Sequence, residues 1–152
     1  MARFSCNDLD GFILDVEEMA ELSGEAVDAI LSAGAEVVRK SHVDEINRTF
    51  DKHTAKLIGS PTVYLKTGTG KYGHAAMERY ALIYPKGEHH TYRAKGGGTG
   101  SARNADLGFV HEFGGHGNKP TSWMLNANER CAGEMADAEE RAYDEWLKSH
   151  KL

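Results

Sequence analysis

The chain has 152 residues, of which 40% are hydrophobic and 27% charged, a composition typical of a globular protein with one domain over residues 1–152. Its net charge of −5 argues against binding nucleic acid through overall charge, since such binding needs clustered basic side chains. The sequence has neither the roughly 20 consecutive apolar residues of a membrane span nor an initial secretion signal. We therefore expect an intracellular protein with no membrane partner, in which Cys6 and Cys131 are reduced thiols.

The first part of the chain is predicted to be helical. Apolar residues at three- and four-residue steps predict a short helix over Asp8–Leu22. A longer helix is predicted from Glu25 to about Phe50, with Gly34 on its apolar face, where a neighbouring element could approach closely. Its polar continuation, His42–Lys56, is expected to project from the core or to meet another subunit. Gly59-Ser60-Pro61 is predicted to end the helical region.

Three strands are predicted next. Thr62–Lys66 and Tyr80–Tyr84 are rich in β-branched and aromatic residues, and a proline stops the second of them. The glycine-rich stretch Lys86–Asp106 is predicted to be a long flexible loop. Leu107–Phe113 is predicted to be the third strand.

The remaining residues are predicted to form a turn and a long helix. The turn covers Gly114–Ser122, and the helix runs from Ser122 to about Lys148, with Thr121 or Ser122 as its cap. Its small residues predict close packing on the sheet or on the long helix, and four glutamates are assigned to its opposite face: Glu129, Glu139, Glu140 and Glu145. The order of elements predicts an α+β fold, with N-terminal helices, a small antiparallel sheet with a long flexible loop, and a long C-terminal helix packed on the sheet.

One motif is similar to a zinc-protease sequence. In H-E-x-x-H the two histidines lie four residues apart on a helix, and here His111 and His116 lie five apart with Gly114-Gly115 between them. On a strand the two histidines would also point to opposite faces. We therefore predict no catalytic and no metal-binding residues. A small metal-dependent hydrolase that uses His111, Glu112 and His116 remains the alternative from another functional class.

Two further features carry hypotheses of their own. Gly68–Gly73 matches G-x-G-x-x-G after a strand, but His74–Arg79 is too short for the crossover helix of a dinucleotide fold, so we predict a hairpin connection and no cofactor. The residues Lys86, Arg93, Lys95 and Arg103 are predicted to be solvated on the flexible loop, with an adaptor that binds nucleic acid as the alternative. Trp123 is interpreted as either a core anchor or an interface anchor.

The segment Val110–Met124 resembles the signature of the tail-completion family of long-tailed bacteriophages, the tail components of HK-type lambdoid phages. In that family a strand ends in Glu-Phe-Gly, a short turn follows, and a proline and an aromatic residue open a C-terminal helix with an alanine soon after. The matching positions are Glu112, Phe113, Gly114, Pro120, Trp123 and Ala127. Leu57-Ile58-Gly59-Ser60 resembles the family's turn before the first strand, and the likeness spans roughly Leu9 to Leu147. The chain departs from the pattern in its Gly-His-Gly-Asn turn and in its long loop.

The resemblance implies a virion protein without catalytic activity, assembled in the host bacterial cytoplasm, that joins the tail to the DNA-filled head. It implies a homo-oligomeric ring, commonly a hexamer, whose neighbours are the head-closure protein, the tail terminator and the tail tube. DNA would pass through such a ring without sequence-specific binding, and an acidic lining would favour sliding because it repels phosphate. The six motif residues would support the subunit core or the ring contact, and the Lys86–Asp106 loop would lie between subunits. A tail terminator or head-closure ring is the alternative within this class.

Overall fold

A computed structural model describes residues 24–71, 78–93 and 96–149. The predicted first helix, Asp8–Leu22, and Cys6 lie outside the described residues. The helices are α1 (Gly24–Thr49), α2 (Lys52–Ile58), α3 (Asn104–Phe113) and α4 (Trp123–Ser149). The strands are β1 (Pro61–Thr67), β2 (Arg79–Pro85), β3 (Glu88–Arg93) and β4 (Thr99–Arg103). The predicted α+β class is confirmed, and the second helix, the first two strands and the last helix are each found within one residue of their predicted ends.

The long helical region is divided in two by a local capping motif. The Asp51 carboxylate accepts hydrogen bonds from the backbone N–H groups of His53 and Thr54, both at 2.9 Å, and these bonds hold the pKa of Asp51 below its usual value. α2 therefore begins anew after α1 and ends at Gly59, whose φ of 83° suits glycine. The predicted end of the helical region at Gly59-Ser60-Pro61 is confirmed.

The strands form two separate antiparallel pairs. β1 pairs with β2, Pro61 lying opposite Pro85 and Thr67 opposite Arg79. β1 and β2 are antiparallel neighbours and not parallel strands joined by a crossover, so the predicted hairpin relation of the two strands is confirmed. Residues 72–77 of the connection lie outside the described residues.

The prediction of a loop over Lys86–Asp106 is wrong, because most of this stretch is the hairpin of β3 and β4. The sequences of both strands are polar and poor in β-forming residues, so the single sequence gave little strand signal. Gly96 and Gly97 adopt positive φ values of 112° and 92° at the turn, where glycine allows the chain to reverse. The glycines that indicated flexibility thus mark a hairpin turn.

The prediction of a strand over Leu107–Phe113 is also wrong, because these residues belong to α3. The buried residues of α3 are Asn104, Gly108 and Glu112, which recur at the four-residue spacing of a helix face. Gly108 lets that face approach its neighbours closely, since a Cβ there would lie 3.3 Å from Pro85 and 3.4 Å from Trp123. The apolar run Leu107 to Val110 is short enough to fit either a strand or a buried helix.

α1 occupies the middle of the fold. It packs along α4 on one side and against β1 and β2 on another, so α4 lies on the long helix and not chiefly on the sheet as predicted. The expected close approach at Gly34 is confirmed, because a Cβ at Gly34 would overlap the Glu139 carboxylate of α4. Glu139 is therefore half-buried between the helices, and its assignment to the exposed face is wrong.

The core lies at the C-terminal half of α1. Ile46, Ile58 and Trp123 form its buried centre, and four partly buried side chains pack around them: Phe50, Ala55, Leu107 and Met124. His42 and Glu45 are buried as well, so the expectation that His42–Lys56 projects from the core is wrong. Across the described ranges, every helix is too short or too polar to cross a membrane.

Candidate functional site

The segment that resembles the phage family forms the junction between α3 and α4. The Thr121 backbone N–H and hydroxyl both donate to the His111 carbonyl at 2.8 Å, and the Ser122 N–H donates to the Glu112 carbonyl at 3.2 Å. These bonds satisfy carbonyls at the C-terminal end of α3, which have no partner within that helix. The turn is thereby fixed to the end of α3.

Glu112, on α3, connects the two helices through hydrogen bonds that its side chain accepts from the backbone of α4. Its buried carboxylate accepts hydrogen bonds from the backbone N–H groups of Met124 at 2.6 Å and Leu125 at 3.3 Å, in the first turn of α4. A carboxylate at this position also faces the positive end of the helix dipole. The sequence predicted a cap from Thr121 or Ser122 and missed Glu112, because this cap comes from a residue that precedes α4 by more than ten positions.

The turn between the helices requires glycine at its first position. Gly114 has a φ of 83°, and a Cβ there would lie 3.0 Å from Pro120 Cδ and 3.2 Å from the carbonyl oxygen of Asn118. Gly115 and Asn118 exchange backbone hydrogen bonds of 3.1 and 2.8 Å. The predicted turn is confirmed, and it is a small hydrogen-bonded loop.

Trp123 anchors the junction in the core. Its side chain is fully buried, and its Nε1–H donates to the Gly108 carbonyl at 3.0 Å. The indole meets His42 and Phe50 of the α1 region edge to face, with ring centroids 5.4 and 6.4 Å apart. Ala127 is also fully buried. Of the two interpretations of Trp123, the geometry favours the core anchor.

Large apolar side chains are exposed around this junction. Phe109 and Phe113 lie one turn apart on α3, 44% and 74% exposed, with nearly parallel rings whose centroids are 6.4 Å apart. Leu125, in the first turn of α4, is 52% exposed. We call Phe109, Phe113 and Leu125 the junction patch. It presents apolar surface on a scaffold that the hydrogen bonds described above hold in place, which is an arrangement suited to binding another protein.

The residues of the hydrolase alternative have other roles in the fold. Both oxygens of Glu112 accept backbone N–H groups of α4, and the His111 ring packs against Phe50 with centroids 4.9 Å apart. His116 is exposed in the turn, where its φ is 48°. Within the described ranges, no three His, Cys, Asp or Glu side chains are grouped so that they could hold a metal ion.

Three of the four basic residues of the predicted loop lie in the second hairpin or at its ends. Lys86 is exposed between β2 and β3, and Arg93 is the last residue of β3. Arg103 is exposed and pairs with Asp106 at 2.8 Å, and the hydrogen bond to that carboxylate raises the pKa of Arg103. Lys95 lies outside the described residues.

A second group of polar residues lies between α1 and α4. The buried carboxylate of Glu45 pairs with Arg130, and with Arg48 at 3.2 Å, beside a cavity of about 240 Å³. Charged side chains of both signs line this cavity. Those of Glu45, Arg48 and Arg130 form an ion-pair network between the two helices. Sequence reasoning missed it because Glu45 lies in the polar stretch His42–Lys56, which was expected to project from the core or to meet another subunit.

His42 lies one turn before Glu45 on α1 and is buried against the ring of Trp123. Its Nε2 is 2.8 Å from Asn128 Oδ1, and its Nδ1 is buried without a hydrogen-bond partner among the described residues. Burial lowers the pKa of His42, although the hydrogen bond to Asn128 and the charge of Glu112 act in the opposite direction. The neutral imidazole is thus part of the core.

The chain was compared with protein-family models, with curated proteins and with solved structures, and none of the three comparisons gave a match.

Proposed function

We propose that the chain is a structural protein of a long-tailed phage virion, located at the head–tail interface, where it joins the tail to the DNA-filled head and catalyses no reaction. The observation that carries this proposal is the junction patch, in which Phe109 and Phe113 are exposed on a helix whose end is hydrogen-bonded to the start of α4. The same segment, from Glu112 to Ala127, carries the resemblance to the tail-completion family. The alternative within this class is a tail terminator or head-closure ring.

The geometry of the patch fits an assembly contact better than a reaction site. A ring built from identical subunits needs heterologous contacts, in which a patch on one subunit fits a different surface on the next. Burying an exposed phenylalanine side chain contributes on the order of 2 kcal/mol. Such a contact, repeated around a closed ring, is strong only when all subunits are present. Hydrogen bonds from Thr121 and Ser122 hold the turn on the end of α3, so little loop entropy is lost when this surface is buried on assembly.

The first test is the mass of the purified protein over about two decades of concentration. The expected result is a closed ring, with six subunits, whose population grows with concentration. Phe113→Asp places a charge in the patch and should shift assembly to concentrations at least about thirtyfold higher, which corresponds to the loss of about 2 kcal/mol per contact. Ala132→Asp adds the same charge at an exposed position of α4 and serves as the matched control.

Two results would contradict the proposal. If the chain stays monomeric at every concentration and Phe113→Asp behaves like the parent, the proposed self-assembly into a ring is contradicted. Metal content is measured on the same samples. One bound metal ion per chain that is lost with His111→Ala would instead favour the hydrolase.

A further inference from the structure

The cavity between α1 and α4 is lined by as many positive as negative side chains. Its volume is about 240 Å³, and its charged lining residues are Lys40, Asp44, Glu45, Arg48, Arg130 and Glu134. Three of these side chains are basic and three are acidic, so the lining has no formal net charge. Such a lining favours neither a simple anion nor a simple cation, but it complements a molecule that carries both charges.

The positive part of the cavity consists of two guanidinium groups that meet at one carboxylate. The Nη1 atoms of Arg48 and Arg130 both contact Oε2 of Glu45, that of Arg48 at 3.2 Å. The other oxygen of Glu45 accepts the Thr49 hydroxyl at 3.2 Å. Each guanidinium has five N–H donors, and among the described residues neither has a partner besides Glu45. Two positive charges therefore share one buried negative charge, which leaves donors available for a second carboxylate.

The negative part of the cavity consists of Asp44 and Glu134. Both residues are exposed, and neither forms an ion pair with another described residue. Asp44 precedes Arg48 by four positions on α1, and Glu134 follows Arg130 by four positions on α4. Each carboxylate thus lies about one helical turn, roughly 6 Å along the axis, from the guanidinium on its own helix. The carboxylate and ammonium groups of an α-amino acid are joined through one carbon atom, so a single molecule can contact both charges over this distance.

The size of the cavity and its uncharged lining limit the rest of the ligand. At roughly 30 Å³ for each non-hydrogen atom, the share of a water molecule in the liquid, 240 Å³ holds about eight such atoms. The Ser41 hydroxyl already donates to the Ala127 carbonyl at 2.8 Å. Val37 and the buried Cys131 present apolar surface to the cavity, which favours a short aliphatic side chain. Valine has this size and this side chain.

We propose that the cavity between α1 and α4 binds a free α-amino acid with a short aliphatic side chain. The carboxylate of the ligand accepts the unused N–H donors of Arg48 and Arg130, and its ammonium group donates to Asp44 and Glu134. The bound molecule contacts both long helices and so stabilises their packing. None of these residues belongs to the junction patch, so the site and the proposed assembly contact are independent of each other.

Titration of the ¹⁵N-labelled protein with L-valine, followed by two-dimensional NMR, tests this site. Amides near Asp44 on α1 and near Arg130 on α4 should shift along a saturable curve, and amides of β1 and β2 should not move. Two analogues each lack one charge of valine: isobutylamine has no carboxylate, and isovalerate has no ammonium group. Each should bind at least about tenfold more weakly than valine, because it loses the hydrogen bonds of one charged group.

Two variants distinguish the two ends of the site. Arg48→Gln leaves Arg130 to pair with Glu45, and it should weaken the binding of valine and isovalerate at least about tenfold without weakening that of isobutylamine. Asp44→Asn should weaken the binding of valine and isobutylamine without weakening that of isovalerate. Arg141→Gln, at an exposed position of α4 outside the cavity, is the matched control and should bind valine as the parent does. Circular dichroism checks that the helices remain folded in each variant.

Four results would overturn the proposal. An absence of saturable shifts at up to about 50 mM L-valine would mean that the cavity holds only solvent. Isovalerate or inorganic phosphate that binds as tightly as valine would make the cavity an anion site. Isobutylamine that binds as tightly as valine would make it a cation site. Shifts that persist unchanged in both Arg48→Gln and Asp44→Asn would place valine elsewhere on the protein.

Discussion

At the scale of the residue, Glu112 is the side chain that best explains the Glu-Phe-Gly segment. Its carboxylate accepts two backbone N–H groups at the start of α4, so Glu112→Gln should lower the free energy of unfolding by about 1–2 kcal/mol through the loss of a charged cap. Urea unfolding measures this change. Glu129→Gln, at an exposed position of α4, is the matched control and should change stability by less than about 0.5 kcal/mol. Equal stability of the two variants would contradict the capping role.

His42 gives the protein a pH-dependent core. Because burial lowers its pKa below the ordinary value of 6.5, the unfolded chain takes up a proton at a pH at which the folded chain does not. The free energy of unfolding should therefore be highest above about pH 6.5, and should fall as the pH drops from 6.5 toward the lower pKa of the folded state. The buried Nδ1 explains the direction, since a proton there would find no acceptor among the described residues.

Urea unfolding between pH 7.5 and 5.5 measures this dependence. His42→Gln should flatten the dependence, because glutamine does not titrate. His53→Gln removes an exposed histidine and should leave the dependence as it is in the parent. A His42→Gln chain that loses stability with falling pH as steeply as the parent would show that another group is responsible.

At the scale of the element, the contact between α1 and α4 contains an unfavourable charge. Glu139 lies over Gly34, and burial raises the pKa of its carboxyl group. Above the unfolded value near 4.5 the folded state is therefore penalised for carrying the negative charge, and the penalty disappears as the pH falls below that value. Glu139→Gln should accordingly be more stable than the parent at pH 7.5, by a margin that vanishes near pH 4.

Thermal unfolding at the two pH values measures this difference. Glu140→Gln, the exposed neighbour on the same helix, should show no such gain at pH 7.5. If Glu139→Gln and Glu140→Gln gave the same unfolding temperature at both pH values, the carboxylate of Glu139 would be solvated in the folded protein.

The elements with strong periodicity or strong turn signals were predictable from the sequence. α1, α4 and the β1–β2 pair each have a pattern long enough to fix their type, and Gly59-Ser60-Pro61 fixes a boundary. α3 was mistaken for a strand because its run is short and because Phe109, Val110 and Phe113 are β-branched or aromatic. In the fold, the Gly108 face of this run packs closely against Trp123 and Pro85 as a helix. The second hairpin is held together by backbone pairing between β3 and β4. It was missed because the polar residues of these strands do not have the apolar pattern that predicts a strand.

The candidate site also has features that the local sequence predicts and features that depend on distant contacts. Trp123 and Ala127 lie in the first turns of α4, and Gly114 and Pro120 lie in the turn before it, as the motif suggests. Glu112 and Phe113, however, end a helix where the motif has a strand. The role of Glu112 as a cap and the partners of His42 depend on contacts across 12 and 86 positions, respectively, which a single sequence does not encode locally. Whether Phe113 is exposed or buried could not be predicted from the sequence, because it depends on which face of α3 the residue occupies.

At the scale of the whole molecule, stability depends on few large side chains. Within the described residues, the fully buried side chains of greatest volume are Trp123, Ile58 and Pro85. Trp123 alone joins three parts of the fold, through His42 of α1, the Gly108 carbonyl of α3 and its own position at the start of α4. A smaller side chain at position 123 would leave a cavity that borders α1, α3 and α4. The loss of unfolding free energy would therefore affect the whole domain.

Trp123→Phe should therefore lower the free energy of unfolding by about 2–4 kcal/mol, because it removes buried volume together with the partner of the Gly108 carbonyl. Trp146→Phe, at a half-buried position near the end of α4, is the matched control and should cost less than about 1.5 kcal/mol. Circular dichroism follows the helices, and hydrogen exchange of the amides paired between β1 and β2 follows the sheet. Since the core links both parts, the two probes should shift to lower urea concentration together in Trp123→Phe. A sheet that keeps its parent midpoint while the helices unfold earlier would mean that β1–β2 is stabilised independently of the junction.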